Sequence, residues 1–269
     1  SLSFPLARVR IPSGQAMGMI SQQAIEAQLA LRERPVDAAP VMKQRWDRLL
    51  FLHWQADEEE LARHLPPGLA LDRFDGKAWI AVVPFYMCRV RPVGLPSLPW
   101  LSNFLELNVR TYVVDENGRP GVWFFSLDTD RWIARTIARS FFKLPYFWAS
   151  MAAGESADAW TDYRVKRRGQ SEVASYRYRG SGEARLAEEG SFEFFLLERY
   201  LLYAWDRRRQ RLLRGRVWHE SYRFRDAEVP QWSAAPIAWD ALSLPAGEPA
   251  HQCFVDRVEV DAFAVEEVG

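Results

Sequence analysis

The sequence predicts an α+β fold in which strands predominate. Short runs rich in β-branched and aromatic residues recur along the chain, and turn-forming pairs such as Asp75-Gly76 and Asn117-Gly118 stand between them. Few segments show the apolar spacing of a helix. Of the 269 residues, 48% are hydrophobic and 14% are aromatic, which is enough apolar surface to bury a core without disulfides or a structural metal.

The first 42 residues are predicted to form an N-terminal extension that is irregular apart from one helix. Residues 19–33 are rich in Ala, Gln and Leu, which favour a helix, and Pro35 and Pro40 break the chain after it. We expect residues 43–269 to form a single domain.

The domain is predicted to begin with a short turn at 43–49 and a strand at 50–54. A helix follows, because Asp57 is placed as its N-terminal cap and Glu60 stands three residues further on. The Pro66-Pro67-Gly68 sequence ends this helix.

A hairpin, a second pair of strands and a helix are predicted next. Residues 69–71 and 79–91 are expected to pair with each other, because the Asp-Gly pair between them favours a tight turn. Strands at 106–113 and 122–128 flank a second turn with Asn-Gly and Pro-Gly signals. A helix at 131–142 carries apolar residues at four-residue spacing.

The remaining elements are predicted from the same kinds of signal. Ser191 is placed to cap a helix whose apolar positions continue to Leu201. Further strands are predicted at 146–151, 163–167, 172–179, 212–216, 220–225 and 254–263.

The predicted strand at 106–113 has two chemically different faces. Side chains alternate across a strand, so four polar side chains share one face while mostly apolar side chains share the other. The polar face consists of Glu106, Asn108, Arg110 and Tyr112. This face is either the polar lining of an apolar cavity or the solvated side of an antiparallel sheet, and the strand alone leaves both interpretations open.

Charge and cysteine content limit the partners and the compartment. The 35 basic residues balance 35 acidic ones, which argues against a dedicated nucleic-acid or anionic-membrane surface, and the arginine-rich run at 206–216 is predicted to be a solvated hairpin. Cys88 and Cys253 lack metal-type spacing and are expected to be free thiols. No segment is long and apolar enough to span a membrane, and the N-terminus lacks a signal-peptide layout, so we expect a cytoplasmic protein.

Several motifs between Trp46 and about Val229 share a recognisable pattern. They are Phe51-Leu52-His53-Trp54, Leu65-Pro66-Pro67-Gly68-Leu69, Phe74-Asp75-Gly76-Lys77-Ala78-Trp79, Glu106-Leu107-Asn108-Val109-Arg110-Thr111-Tyr112, Pro120-Gly121-Val122-Trp123-Phe124-Phe125-Ser126-Leu127-Asp128, Leu144-Pro145-Tyr146 and Glu198-Arg199-Tyr200-Leu201-Leu202-Tyr203. Together they resemble the DUF2071 (YqjF-like) family, which belongs to the acetoacetate decarboxylase-like superfamily.

For the fold, this resemblance implies a β-barrel or strongly curved sheet with an internal cavity and a few covering helices. The characterised decarboxylases use a lysine that forms a Schiff base with a β-keto acid, and a second lysine beside it lowers its pKa. That lysine pair follows a proline, whereas Tyr146-Phe147 follows Pro145 in this chain. The arginine that meets the substrate carboxylate corresponds to Gln55, while Glu106 matches the acid of the decarboxylase pocket.

The candidate site residues follow from the polar face and from the resemblance. We expect a ligand to contact Glu106, Asn108, Arg110, Tyr112, Tyr146 and Gln55. Glu106 and Arg110 form either a buried pair that orients a polar ligand or a structural ion pair. Glu106, His53 and Lys143 are weak catalytic candidates; the preferred interpretation of His53 is a hydrogen-bonded core histidine, and that of Lys143 is a cation at the C-terminus of a helix. Asp128 is expected to cap the helix that follows it.

The sequence therefore predicts a protein that binds a small organic molecule, carboxylate- or carbonyl-bearing, inside the sheet without imine chemistry. No cofactor, metal site, nucleic-acid partner or membrane partner is predicted, and a homo-oligomer is left open. Two alternatives remain. One is a lyase or isomerase in which Glu106 acts as acid or base on a substrate held by Arg110. The other is a structural barrel whose interior is filled by side chains.

Overall fold

The computed structural model describes residues 21–97, 102–131 and 143–268. Within these residues thirteen strands form one sheet, and four short helices have described bounds. The strands are β1 (Met42–Ala56), β2 (Leu69–Leu71), β3 (Ala78–Pro92), β4 (Phe104–Asp115), β5 (Pro120–Thr129), β6 (Tyr146–Glu155), β7 (Thr161–Arg167), β8 (Ala174–Arg185), β9 (Leu201–Asp206), β10 (Arg211–Trp218), β11 (Phe224–Gln231), β12 (His251–Ala262) and β13 (Glu266–Glu267). The helices are α1 (Gln22–Arg32), α2 (Glu58–Arg63), α3 (Phe192–Leu197) and α4 (Ala235–Trp239).

The sheet is strongly curved. Its strand order is β13-β10-β9-β5-β6-β7-β8-β11-β12-β1-β3-β4-β2, and two further pairings, β4 with β5 and β10 with β12, join strands that are far apart in this order. Because of these pairings the sheet bends back on itself. The predicted strand-dominated fold is confirmed, with a curved sheet rather than a closed barrel as its description.

Two hydrophobic clusters lie on opposite faces of the strands β1, β3 and β4. On β1, Leu49 and Phe51 belong to one cluster, whereas Leu50 and Leu52 belong to the other. This arrangement follows from the alternation of side chains along a strand, and it explains why the middle of β1 is apolar at successive positions. The face that carries Phe51 surrounds the cavity described below.

The turn predicted at 43–49 is wrong, because these residues belong to β1. They pair with β12 in a continuous register from Met42 opposite Ala262 to Asp47 opposite Arg257. Arg48 has a φ of 55°, and the pairing of β1 with β3 shifts between Asp47 and Leu52. The irregular pattern that suggested a turn is therefore a β-bulge inside one long strand.

The hairpin predicted for 69–71 and 79–91 is also wrong in its pairing. Both strands exist, but β2 pairs with β4, from Leu69 opposite Asp115 to Leu71 opposite Val113. The Asp-Gly turn closes only the isolated bridge between Phe74 and Lys77. The Asp-Gly pair does form a turn, but β2 pairs with the more distant β4 instead of with β3.

The helix caps are confirmed. The side chain of Asp57 accepts from the backbone of Glu60 at the start of α2, and the side chain of Ser191 accepts from Phe194 at the start of α3. The helix that begins after Ser191 ends at Leu197, and Leu201 begins β9 instead of continuing it. The helix predicted at 131–142 lies outside the described residues.

The helix predicted in the N-terminal extension is confirmed as α1, and it packs on the body of the protein. Gln28 is 1% exposed, and its Nε2 donates to the backbone oxygens of Phe194 and Glu198 at 3.2 and 3.0 Å. At the C-terminal end of α1, the guanidinium of Arg216 donates to the backbone oxygens of Leu31 and Glu33. Gln28 thus supplies a donor to the carbonyl of Glu198 just after α3, and a second hydrogen bond to the carbonyl of Phe194, which also accepts from the backbone N–H of Glu198.

Cys88 and Cys253 are free thiols, as predicted. The arginine-rich run at 206–216 forms the hairpin of β9 and β10, whose connecting residues 207–210 are exposed. None of the helices described by the structure has the length and apolar character that a membrane span requires.

Candidate ligand cavity

A cavity of about 220 Å³ lies on the Phe51 face of the curved sheet. Its wall includes side chains from β1, β3, β4, β5, β9 and β10. A single water needs roughly 10–15 Å³ by the same kind of measure, so the cavity has room for an organic molecule. The alternative of an interior filled by side chains is therefore wrong.

The polar face of β4 lines this cavity. Glu106, Asn108 and Arg110 all contribute to the wall and are only 2%, 5% and 8% exposed. The interpretation of this face as the solvated side of a sheet is wrong, because both faces of β4 are covered. Tyr163 contacts the strand from the opposite side, where its hydroxyl lies within hydrogen-bond distance of the backbone oxygens of Phe85 and Glu106, at 3.1 and 2.8 Å.

Glu106 and Tyr146 form a buried acid–phenol pair. The Tyr146 hydroxyl donates to Oε2 of Glu106 at 2.7 Å. Burial raises the pKa of Glu106 from 4.5 to about 8, the hydrogen bond from Tyr146 opposes this shift, and the charge of Asp128 adds to it. Glu106 is therefore mostly protonated at pH 7 and can donate a proton. Burial and the neighbouring Glu106 raise the pKa of Tyr146 well above its usual value, so this phenol stays a donor.

Arg110 is a buried cation whose hydrogen-bonding capacity is largely unused. Neither Nε nor Nη2 has a hydrogen-bond partner among the described residues. The guanidinium lies 5.2 Å from the ring centre of Phe51 and 5.7 Å from that of Tyr112. The predicted ion pair with Glu106 is absent from the described part of the chain, so Arg110 and Glu106 present two separate groups to the cavity.

Three further polar atoms of wall residues lack partners within the described residues. They are Oδ1 of Asn108, Nη2 of Arg199 and Nε of Arg216. Arg199 is otherwise well held, because Nη1 donates to Asp72 and Nε donates to the backbone oxygen of Phe195, both at 2.6 Å. Sequence reasoning assigned no role to Arg199, although it stands in one of the family motifs.

Tyr112 and His53 lie beneath the cavity rather than in its wall. The Tyr112 hydroxyl is 2.8 Å from Nε2 of His53, and Nδ1 of His53 is 3.1 Å from Nδ1 of His251. Burial lowers the pKa of His53 well below its usual value, and the charges of His251 and Arg110 act in the same direction. Its hydrogen bonds and neutral state favour the interpretation of His53 as a core histidine.

Gln55 and Lys143 are exposed, and neither belongs to the cavity wall. Gln55 stands on the same face of β1 as Phe51 but four residues further on, opposite Trp79 of β3. The strand has passed the cavity at that point, so the position that matches the decarboxylase arginine does not face a ligand. Tyr146, by contrast, lies in the wall as expected, and the wall that the structure describes contains no lysine.

Asp128 faces the other side of the sheet and forms a buried ionic cluster. Both of its oxygens accept from Arg167, at 2.7 and 2.8 Å, and Arg167 also donates to Asp240 at 2.6 Å. The expectation that Asp128 caps the following helix concerns residues outside the described range, and the described contacts assign its carboxylate to Arg167. Sequence reasoning missed this role of Arg167, although Tyr163, Val165 and Arg167 share the buried face of β7.

Comparisons with known proteins agree with this architecture. The DUF2071 family model, described as an uncharacterized conserved protein, matches residues 43–259. The uncharacterized protein YqjF of Bacillus subtilis (strain 168) is 37% identical over 214 residues, which cover 79% of this chain and 87% of that protein.

Solved structures with the same fold are more distant in sequence. The enduracididine biosynthesis enzyme MppR complexed with pyruvate has a TM-score of 0.60 at 13% identity and covers 87% of this chain and 92% of its own. An acetoacetate decarboxylase has a TM-score of 0.59 at 11% identity, covering 93% and 98% of the two chains. The acetoacetate decarboxylase of Legionella pneumophila has a TM-score of 0.57 at 12% identity, covering 96% and 98%. These likenesses show the fold, and the family match and the curated relative together show that this chain belongs to the DUF2071 family.

Proposed function

We propose that this protein binds a small organic carboxylate in the cavity, with the carboxylate on the Nε and Nη2 edge of Arg110. The observation that carries this proposal is the pair of unpartnered donors on that one edge. Nε–H and one Nη–H of a guanidinium point in parallel, and this fork matches the two oxygens of a carboxylate.

The charges around Arg110 support an anionic ligand. Glu106 is held largely neutral by burial, since its pKa is raised to about 8. Asp72 already pairs with Arg199 at 2.6 Å. Arg216, which is also in the wall, is half-exposed and donates to two backbone oxygens. Removing the guanidinium of Arg110 from water costs several kcal/mol unless a counter-charge compensates it, and a ligand carboxylate would do so.

The relatives are consistent with this ligand class without defining it. MppR, which shares the fold, was crystallised with pyruvate, an organic acid. The described cavity wall lacks a lysine, so an imine between such an acid and this wall has no amine to form it. The binding mode proposed here uses Arg110 and needs no covalent bond.

The proposal is tested by calorimetric titration with hexanoate and, in parallel, with hexanamide, which has the same shape and no charge. We expect hexanoate to bind and hexanamide to bind at least 10-fold more weakly. Arg110→Met should weaken hexanoate binding by at least about 30-fold, because losing one partner of a buried charge pair costs about 2–5 kcal/mol. The matched control is Arg208→Met in the exposed turn between β9 and β10, which should bind normally. Equal binding of acid and amide would refute recognition by Arg110.

A second candidate function is favoured by the Glu106–Tyr146 pair. A carboxylic acid with a pKa of about 8 can give and take a proton near neutral pH, as a lyase or isomerase acting on a carbonyl substrate requires. Carbonyl-bearing carboxylates incubated in D2O should then exchange hydrogens next to the carbonyl, as followed by NMR. Glu106→Gln should abolish the exchange while Glu116→Gln, in an exposed turn, retains it. Exchange that survives in Glu106→Gln would exclude this acid–base role.

A further inference from the structure

Beyond the polar strand, the cavity wall is mainly apolar and aromatic. Its aromatic side chains include Trp46, Phe51, Phe85, Phe104, Phe124 and Tyr222. Aliphatic side chains such as Val83, Met87 and Leu197 fill the spaces between them. A ligand that satisfied only the guanidinium would leave most of this surface in contact with water, at a cost proportional to the apolar area.

Arg110 lies at the enclosed part of the cavity. It stands opposite Ala81 on β3 and beside Phe51, and both of these residues are 0% exposed. Towards the other end of β1 and β3, the wall residues Met42 and Pro92 pair with each other and are partly or fully exposed. The wall therefore runs from a buried cation to a solvent-accessible rim. Met42 and Pro92 are apolar there, and the neighbouring Arg216 has its Nη2 held by the backbone oxygens of Leu31 and Glu33.

The acid–phenol pair lies between these two ends. Glu106 and Arg110 are four residues apart on the same face of β4, which separates their backbone positions by roughly 13 Å at about 3.3 Å per residue. Phe85, opposite Glu106, and Val83, opposite Asn108, line the same stretch from β3. A ligand anchored on Arg110 must extend along this apolar stretch to fill it.

We propose that the ligand is a carboxylate with an extended apolar body, an aliphatic chain or an aromatic ring, that enters with its carboxylate leading. This inference rests on the proposed function and adds the class of the ligand to it. A short polar acid such as pyruvate satisfies Arg110 but leaves the apolar wall uncovered. Each methylene buried against the wall should tighten binding by about 4-fold, the equivalent of about 0.8 kcal/mol.

The test compares acetate, butyrate and hexanoate as a homologous series, with phenylacetate, pyruvate and succinate beside them, each titrated by calorimetry. We expect hexanoate and phenylacetate to bind at least 10-fold more tightly than acetate, pyruvate and succinate. Pyruvate or succinate binding as tightly as hexanoate would overturn the inference, and so would an absence of binding by the whole series.

One wall variant gives a readout that does not depend on folding alone. Val83→Thr keeps the shape of the side chain and places a hydroxyl in the wall opposite Asn108, two residues along β3 from the position that pairs with Arg110 and therefore within reach of a hexanoate chain. It should weaken hexanoate binding more than acetate binding and so lower the ratio of the two affinities. Val229→Thr is the matched control, because Val229 packs against the opposite hydrophobic cluster. An unchanged ratio in Val83→Thr would contradict the inference.

The two proposals fail in different ways. If hexanamide binds as well as hexanoate while affinity still rises with chain length, anion recognition by Arg110 is refuted, and the proposal of an extended apolar ligand stands. If all carboxylates bind alike and Arg110→Met abolishes their binding, the proposal of an extended apolar ligand is refuted, and anion recognition by Arg110 stands.

Discussion

Replacing Glu106 with Gln should change the pH dependence of stability in a way that reports its buried carboxyl group. Burial raises the pKa of Glu106 from 4.5 to about 8. Between these pH values the folded protein holds a proton that the unfolded chain has released, so rising pH lowers the free energy of unfolding. This loss of unfolding free energy is absent below pH 4.5 and complete above about pH 8. At about 1.4 kcal/mol per pH unit, the interval between the two pKa values limits the total loss to about 5 kcal/mol.

Gln has the shape of the protonated acid, still accepts a hydrogen bond from Tyr146, and carries no charge at any pH. The free energy of unfolding of Glu106→Gln should therefore match that of the wild type within about 1 kcal/mol near pH 5 and exceed it by several kcal/mol at pH 9. Urea denaturation at pH 5, 7 and 9 measures the difference at each pH. Groups that titrate elsewhere contribute equally to both proteins and cancel.

The matched control is Glu116→Gln, in the exposed turn after β4, which should show the same difference from the wild type at each pH. A difference for Glu106→Gln that stayed constant from pH 5 to pH 9 would refute the assignment of a protonated buried acid. Tyr146→Phe extends the test, because the phenol lowers the pKa of Glu106 and its loss should move the pH dependence to higher pH.

Three other variants test the contacts that hold the site in place, each by urea denaturation at constant pH. Arg167→Leu should cost about 3–5 kcal/mol, because it leaves two buried aspartates without their cation, whereas Arg168→Leu on the exposed turn should change stability by less than about 0.5 kcal/mol. Gln28→Ala should cost about 1–3 kcal/mol, because the Glu198 carbonyl loses its Gln28 donor, and the exposed Gln23→Ala on the same helix serves as its control. Tyr112→Phe should cost a similar 1–3 kcal/mol, since a buried histidine nitrogen loses its partner. Equal effects of each variant and its control, or no effect of Tyr112→Phe, would contradict the contacts assigned to these side chains.

The polar face of β4 could be predicted from the sequence because it depends only on local alternation. Glu106, Asn108 and Arg110 share a face by the period of the strand, and the structure places all three in one wall. The same period explains why Tyr112 points to the same side, but its distance along the strand carries it past the cavity to His53.

The parts that sequence reasoning missed depend on contacts between distant segments. Arg199, a wall residue, is held by Asp72, and Gln28 is held by a carbonyl just after α3; nothing in the immediate sequence of either residue shows these partners. Gln55 was expected to contact a ligand because it corresponds to an arginine of the decarboxylases. Such a correspondence does not show how far along β1 the cavity extends, and Gln55 lies past its end. Arg167 was the exception, because the alternation of buried residues on β7 carried a signal that its neighbouring arginines obscured.

Alternate residues of the strands between the two faces of the sheet have different roles. One set lines the cavity, and the other packs into the second hydrophobic cluster, which contains Leu50 and Leu52. On β4, Leu107 and Val109 pack into the second cluster, whereas their neighbours Asn108 and Arg110 face the cavity. The lining of the cavity can therefore change through substitutions at every other position while the side chains of the second cluster stay fixed. A scaffold of this kind allows the shape and polarity of its cavity to vary, in nature or by design, without rebuilding the framework.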